Sequence, residues 1–166
     1  MFPTSLSSHF AVRRLAEGDL AQILDLCRGN PLFYRYCPPS PSAESIREDM
    51  KSLPPGVEPE NKFYLGLFDG DGLAAVLDLV LHYPEAGTAF IGFFMTGAAR
   101  QGRGTGSAMV EEVCAALKRE GFTRVMLAYA DGNAQSEHFW RKNRFVPTGV
   151  EKEMAGFRAV QMVREL

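Results

Sequence analysis

The chain has no excess of either charge: 18 lysines and arginines stand against 20 aspartates and glutamates, and the two signs are mixed along the sequence. A basic stripe of the kind that grips a phosphate backbone is therefore missing, which argues against a nucleic-acid partner. Also missing is any apolar run near the roughly 20 residues needed to cross a bilayer. Met1 to Phe10 lacks the charged start and apolar stretch of a secretory leader. No membrane partner and a cytoplasmic location are the expectations. Only three cysteines occur, Cys27, Cys37 and Cys114, with neither a CxxC pair nor a metal-ligand spacing. That pattern predicts reduced thiols used in packing and no bound metal, with Cys37 in proline-rich surroundings the one that reads as exposed.

What is abundant is core material. Hydrophobic residues make up 46% of 166 positions, which suits one hydrophobic core, so residues 1–166 read as one domain. Phe10 to Leu15 reads as a short strand, and Asp19 to Cys27 as a helix from the spacing of Leu20, Ile23, Leu24 and Cys27. Gly29 and Pro31 stop that helix. Between Pro31 and Pro41, four prolines interleave with Leu32, Phe33, Tyr34 and Tyr36, which predicts an ordered aromatic loop. A helix from Ser42 to a point before Pro54 follows. Lys62 to Phe68, Leu73 to Tyr83 and Thr88 to Met95 read as a three-stranded meander, its first turn at Asp69-Gly70-Asp71-Gly72. Met109, Val110, Val113, Cys114, Ala116 and Leu117 form a helical stripe that Gly121 ends. Val125 to Ala130 is a buried strand, Ala134 to Asn143 a helix and Phe157 to Arg164 a final strand. The class is α/β with a mixed sheet.

One loop carries chemistry. A strand, a Gly-rich turn and a helix in succession point unpaired main-chain N–H groups outward together, which attracts an anion. Gln101-Gly102-Arg103-Gly104-Thr105-Gly106 has this arrangement, with Arg100 and Arg103 adding positive charge at its rim. Glycines remove the Cβ atoms that would hold a phosphate away, so a pyrophosphate fits; a turn that uses glycine only for its geometry is the plainer alternative. No Gly-Lys-Ser/Thr follows to build a Walker site, and the third glycine of GxGxxG is missing.

At this loop the chain resembles the GNAT superfamily of N-acetyltransferases, whose Q/R-x-x-G-x-G/A signature is met by Gln101 to Gly106. The likeness continues from Asn133 to Phe145, which looks like the family's N-x-x-A-x-x-F-Y-x-K-x-G-F pattern. The resemblance implies a largely antiparallel, twisted mixed sheet flanked by helices, with acetyl-CoA as co-substrate. It implies transfer of acetyl to a primary amine, on a small molecule or peptide, by direct attack in a ternary complex. By the same resemblance Gln101, Gly102, Arg103, Gly104, Thr105, Gly106 and Ser107 cradle the pyrophosphate, and Phe94, Met95 and Thr96 pair with the pantetheine like an extra strand. Asn133 would hydrogen-bond the pantetheine, and Ser136, Phe139 and Trp140 would line the channel. Asn133 is also a competent helix cap, the lesser of its two readings, and Phe139 reads equally well as a core residue.

The catalytic groups stay unassigned. Acetyl transfer needs a neutral amine and a stabilised or protonated thiolate. Trp140 stands where the family commonly has a tyrosine acid, and an indole N–H is no usable acid; the hydroxyls of Tyr129 and Ser136 are the substitutes. No carboxylate lies in Ile91 to Phe94, where the family often places a glutamate base. Asp78, His82, Glu85 and His138 are the remaining base candidates by element order, each also readable as a surface or turn residue, and a water chain serves as well. No cysteine is aligned with the site, which favours direct attack. The missing tyrosine and glutamate leave a non-catalytic CoA-binding module as the alternative, and a partner-binding protein with an incidental turn as another. Pro31 to Glu60, with Phe33, Tyr34, Arg35 and Tyr36, is expected to shape the acceptor pocket. The strand Phe157 to Arg164 offers an edge for pairing in a homodimer.

Overall fold

The computed structural model describes residues 2–166. In chain order the elements are β1 (Ala11–Arg14), α1 (Leu20–Arg28), α2 (Pro31–Tyr36), α3 (Ala43–Lys51), β2 (Lys62–Asp69), β3 (Gly72–Leu81), β4 (Thr88–Thr96), α4 (Thr105–Arg119), β5 (Arg124–Ala130), α5 (Ala134–Lys142), β6 (Val146–Met154) and β7 (Phe157–Glu165). The strands make one seven-stranded sheet in the order β1-β2-β3-β4-β5-β7-β6. All neighbours are antiparallel except β4 and β5, which are parallel. Among the described residues no helix is long and apolar enough to cross a membrane.

Alternation along the strands feeds two cores. On one face Met109, Val113 and Leu117 of α4 and Trp140 of α5 pack on Leu65, Leu77, Ile91 and Leu127. On the other, Ile23 and Leu26 of α1 and Ile46 of α3 cover Tyr64, Val76 and Met95. The β2–β3 hairpin turns through two residues, where Asp71 N–H donates to Asp69 Oδ1 at 2.8 Å.

The feature that shapes the molecule is the short pairing of β4 with β5. Their ladder runs from Thr88 opposite Arg124 to Ile91 opposite Leu127 and ends there, although β4 continues to Thr96 and β5 to Ala130. On the other side of β4, Asp78 pairs with Phe93 and Leu79 with Ile91, so Gly92 is an extra residue in the strand. Such a bulge bends and twists its strand. It sits at the point where β4 leaves β5.

Three expectations change. The stretch after Pro31 begins as the helix α2 rather than a loop, because proline has the fixed φ and the dispensable N–H of a first helical position. The C-terminal strand is not an edge: β7 lies between β5 and β6. The edge is β6, an element the pattern of apolar residues does not announce, since every one of its nine residues is exposed and it carries Pro147 and Gly149. Proline is tolerated on an edge strand, and the register breaks between Pro147 and Glu151.

Arg144, just past the cap of α5, has a φ of 70° and donates to both oxygens of Glu111 at 2.6 and 2.7 Å. A left-handed non-glycine residue costs about 1–2 kcal/mol, and an exposed ion pair contributes at most about 1 kcal/mol. Arg144→Gly is therefore expected to leave the melting temperature close to that of the wild type. Arg144→Val, which loses the pair and crowds a branched Cβ into the same φ, is expected to cost about 2 kcal/mol or more; thermal denaturation of both variants checks this.

Candidate functional site

Where β4 and β5 part, a cleft of about 690 Å³ opens. Its walls are Gly92 to Thr96 on one strand and Leu127 to Ala130 on the other. One end is closed by Gln101, Gly102 and Gly104 to Ser107. Gly104 is the N-cap of α4 with a φ of 77°, and no side chain caps the helix. Among the described residues, the main-chain N–H groups from Gly102 to Ser107 meet no protein acceptor. A Cβ built on Gly104 would meet nothing within 4 Å. The loop thus presents bare, positively polarised backbone to the cleft, as a diphosphate requires. Gly106 is different: a Cβ there would come within 3.2 Å of Phe139 and 3.3 Å of Thr96, so this glycine serves the packing of α4 on its neighbours.

The loop's side chains do other work. Arg100 makes a two-pronged pair with Asp69, Nε to Oδ2 at 2.7 Å and Nη2 to Oδ1 at 2.6 Å, so its charge is spent on the β2–β3 turn rather than left free at the rim. That guanidinium, with the Asp71 amide, holds the Asp69 carboxyl down at about 2. Gln101 donates through Nε2 to Asn30 Oδ1 and, at 3.0 Å, to the carbonyl of Thr96. Asn30 donates to the same carbonyl at 3.2 Å, so the Thr96 oxygen is already occupied at the end of β4. Arg103 is exposed and does not line the cleft. Ser107 accepts from Asn143 Nδ2 at 3.1 Å, which fastens the start of α4 to the end of α5.

The structure brings Phe94, Met95, Thr96, Ser136, Phe139 and Trp140 to the cleft. Phe94 stacks on Phe139 with centroids 6.1 Å apart, Phe139 meets Trp140 edge-on at 4.9 Å, and Trp140 meets Phe145 at 5.2 Å. Asn133 is buried away from the cleft, where its Oδ1 accepts the Ser136 N–H at 3.2 Å as a helix cap. Tyr129 is buried on β5 at the cleft wall, and burial, then the nearby Glu137 carboxylate, push its hydroxyl up.

The base candidates separate cleanly. His138 is exposed and outside the cleft. His82 accepts the Gly87 N–H at 3.2 Å in a turn, and exposed Glu85 pairs with Arg124 at 3.3 Å; neither lines the cleft. Asp78 is no surface residue: it is 9% exposed and accepts from Lys62 Nζ at 2.7 Å. Of the aromatic acceptor-side residues, Phe33 lines the cleft and packs edge-on against Phe93, whereas Tyr34 turns inward towards Cys27. Tyr36 rests on Gly132, and Arg35 does not reach the cleft. A cysteine does reach it: Cys37 lines the wall, its thiol pushed up by burial and by Asp49. Gln135, Lys142 and Gln161 also line the cleft and were not singled out from sequence. Lys142 is one helical turn beyond Phe139, a spacing that places both on one side of α5.

Known proteins share this fold. The model of the acetyltransferase (GNAT) family matches residues 25–145. No curated protein sequence gives a significant match. An acetyltransferase from Thermus thermophilus superposes with a TM-score of 0.75 at 23% identity, covering 95% of this chain and 97% of that one. The PaiA N-acetyltransferase from Thermoplasma acidophilum in complex with coenzyme A gives 0.66 at 17% identity over 95% and 99%. A spermidine N-acetyltransferase from Vibrio cholerae in complex with CoA and spermine gives 0.69 at 17% over 96% of each. At such identities the structures speak for the fold, and the family model, which spans well over half of the sequence, speaks for descent: the chain belongs to the acetyltransferase (GNAT) family.

Proposed function

We propose that this protein moves acetyl from acetyl-CoA to a primary amine by direct attack in a ternary complex. The observation that carries the reading is the set of unpaired N–H groups from Gly102 to Ser107, which close one end of a cleft between strand edges that face each other without a ladder beyond Ile91 and Leu127. The loop amides would hold the coenzyme diphosphate, with Lys142 as a cationic neighbour on the same rim. The free edge of β4 before Thr96 would take the pantetheine amides, and the aromatic wall of Phe94, Phe139 and Trp140 would exclude water beside it. The thioester supplies an activated acyl group, so no acyl-enzyme is needed. Cys37 does not provide one: a thiol pushed up by burial stays protonated and is a poor nucleophile. For the departing thiolate, Tyr129 is the proton donor on this reading, since a hydroxyl pushed up by burial keeps its proton at neutral pH.

The aromatic acceptor side, with Phe33, Phe90 and Phe93 at the cleft, suits an amine on a small or partly apolar body. A CoA-binding module without catalysis is the second reading, and Trp140 at the usual tyrosine position is what favours it. Release of free thiol on incubation with acetyl-CoA and a panel of amines separates the two: thiol released with at least one amine supports transfer, and tight coenzyme binding with no release across the panel supports the module. Coenzyme binding is tested separately by thermal shift. A ligand at a hundred times its dissociation constant adds about 2.7 kcal/mol, and Gly104→Val is expected to abolish that shift by placing a branched side chain in the cradle. Unchanged CoA affinity in the folded variant would count against the cradle.

A further inference from the structure

Asp78 is nine-tenths buried on β3, and its two oxygens are used differently. Oδ2 accepts from Lys62 Nζ at 2.7 Å, while Oδ1 has no hydrogen-bond partner. A buried carboxylate oxygen without a donor is costly to keep, and a catalytic role is one of the few reasons a fold retains one. The neighbour of this carboxylate on the cleft side is Gly92. A Cβ on Gly92 would lie 3.0 Å from Asp78 Oδ2 and 3.3 Å from Asp78 Cγ, so the aspartate occupies the space that a side chain at 92 would claim. Gly92 itself is exposed in the cleft and is the first residue of β4 beyond the last β4–β5 pair. The carboxylate therefore stands directly behind the vertex of the split.

The surroundings are short of positive charge. From β2 come Lys62 and Tyr64, from α3 comes Asp49, and from β4 only the uncharged Gly92 and Phe93. Tyr34 of α2 and Cys27 of α1 hydrogen-bond each other beside Asp49, both pushed up by burial. Two carboxylates thus share one lysine. The carboxyl of Asp49 is pushed up to about 6 by the protein around it and by Asp78, even though the residue keeps an exposed side, and that of Asp78 is pushed up by burial against the pull of Lys62. An alkylammonium brought to this place would meet two carboxylates that have one lysine between them.

We propose that Asp78 is the catalytic base, meeting the acceptor ammonium at Gly92, where no side chain stands between the carboxylate and the cleft. The inference rests on the acetyltransferase reading above and adds to it a base supplied from β3. Asp78 takes one proton from the ammonium, and the freed lone pair forms the C–N bond to the acetyl carbon as the C–S bond breaks. Tyr129 protonates the departing thiolate and is re-protonated by the second nitrogen proton, and Asp78 returns its proton to solvent, so that one ammonium and one thioester give one amide, one thiol and one proton.

The test measures kcat/KM for the most active amine of the panel between pH 5 and 9, together with the CoA-induced thermal shift, for the wild type, Asp78→Asn, Asp78→Glu and Gly92→Ala. Asp78→Asn is expected to keep the thermal shift and to lose at least thirtyfold in kcat/KM at pH 7, with activity recovering towards pH 9 as free amine accumulates. Asp78→Glu, which keeps the charge, is expected to retain more activity than Asp78→Asn. Gly92→Ala, whose methyl group meets the carboxylate, is expected to raise KM for the amine with little change in CoA binding. Wild-type kcat/KM and pH profile preserved within threefold in a CoA-binding Asp78→Asn overturns the assignment, as does equal loss in the Asn and Glu variants. Should Asp78→Asn fail to fold, unchanged amine kinetics in Gly92→Ala overturn it. A wild type that binds CoA but acetylates no amine overturns the transfer reading itself, which keeps the two failures apart.

Discussion

Two parallel strands cannot be joined by a hairpin, and this requirement governs how the cleft of this protein is made. Because β4 and β5 run the same way, the chain must cross over between them, and it does so through α4. The crossover helix has to start at the far end of β4, which is also the end at which β4 and β5 have parted. The N-terminus of α4 and the open mouth of the split therefore fall together without any further device. The split can be opened because each strand has another partner: β4 stays on β3, and β5 is paired along its whole length with β7, from Arg124 opposite Glu165 to Ala130 opposite Ala159. The sheet is opened between two stable halves rather than frayed at an edge.

Local signals were legible in the sequence and non-local ones were not. The loop Gln101 to Gly106 and the stripe of α4 depend on residues within a few positions of one another, and the elements they predict are those found. The β2–β3 turn is equally local. Strand β6 leaves no such trace, since an edge strand exposed along its length needs no apolar alternation. The position of β7 inside the sheet depends on β6 and could not be read without it. The same reason hides the burial of Asp78, which element order already offers as a base candidate. A carboxylate in a strand reads as solvent-facing until the side chain of Lys62, sixteen residues earlier on the neighbouring strand, is seen to reach it, and the bulge that brings Gly92 beside it is a property of strand pairing, not of sequence. Asn133 shows the opposite case: both of its readings were visible, and the one the structure displays is the cap.

Of the charged side chains at the loop, Arg100 is paired with Asp69 and Arg103 does not line the cleft, and this bears on how an anion would be recognised there. Arg100 is committed to Asp69 and Gln101 to Asn30 and the Thr96 carbonyl, so these residues hold the loop in shape while the backbone faces outward. The Asp69 carboxyl lies below its ordinary range in the folded protein, at about 2. A depressed carboxylate stabilises the fold above its unfolded pKa and loses that contribution only as pH falls towards the folded value. The clamp is thus fully formed at neutral pH, and the geometry of the cradle does not depend on titration there. Recognition by amides also tolerates variation in loop side chains, provided Gly104 keeps its left-handed turn.

Trp140 gives the remaining step. Its ring lies within the aromatic cluster that runs from Phe94 through Phe139 to Phe145, so it contributes a dry wall and no titratable proton. If transfer takes place in such a cleft, proton traffic has to be carried by groups on its two flanks. On the β5 flank Tyr129 keeps its proton because burial opposes ionisation; on the β4 flank no side chain intrudes at Gly92, and the nearest carboxylate is the one behind it. On the proposed reading, a donor on one strand and an acceptor behind the other would leave the acyl group between them. On that reading the indole would act as a hydrophobic partition: it would take no part in the proton balance, and its bulk would keep water from competing with the amine.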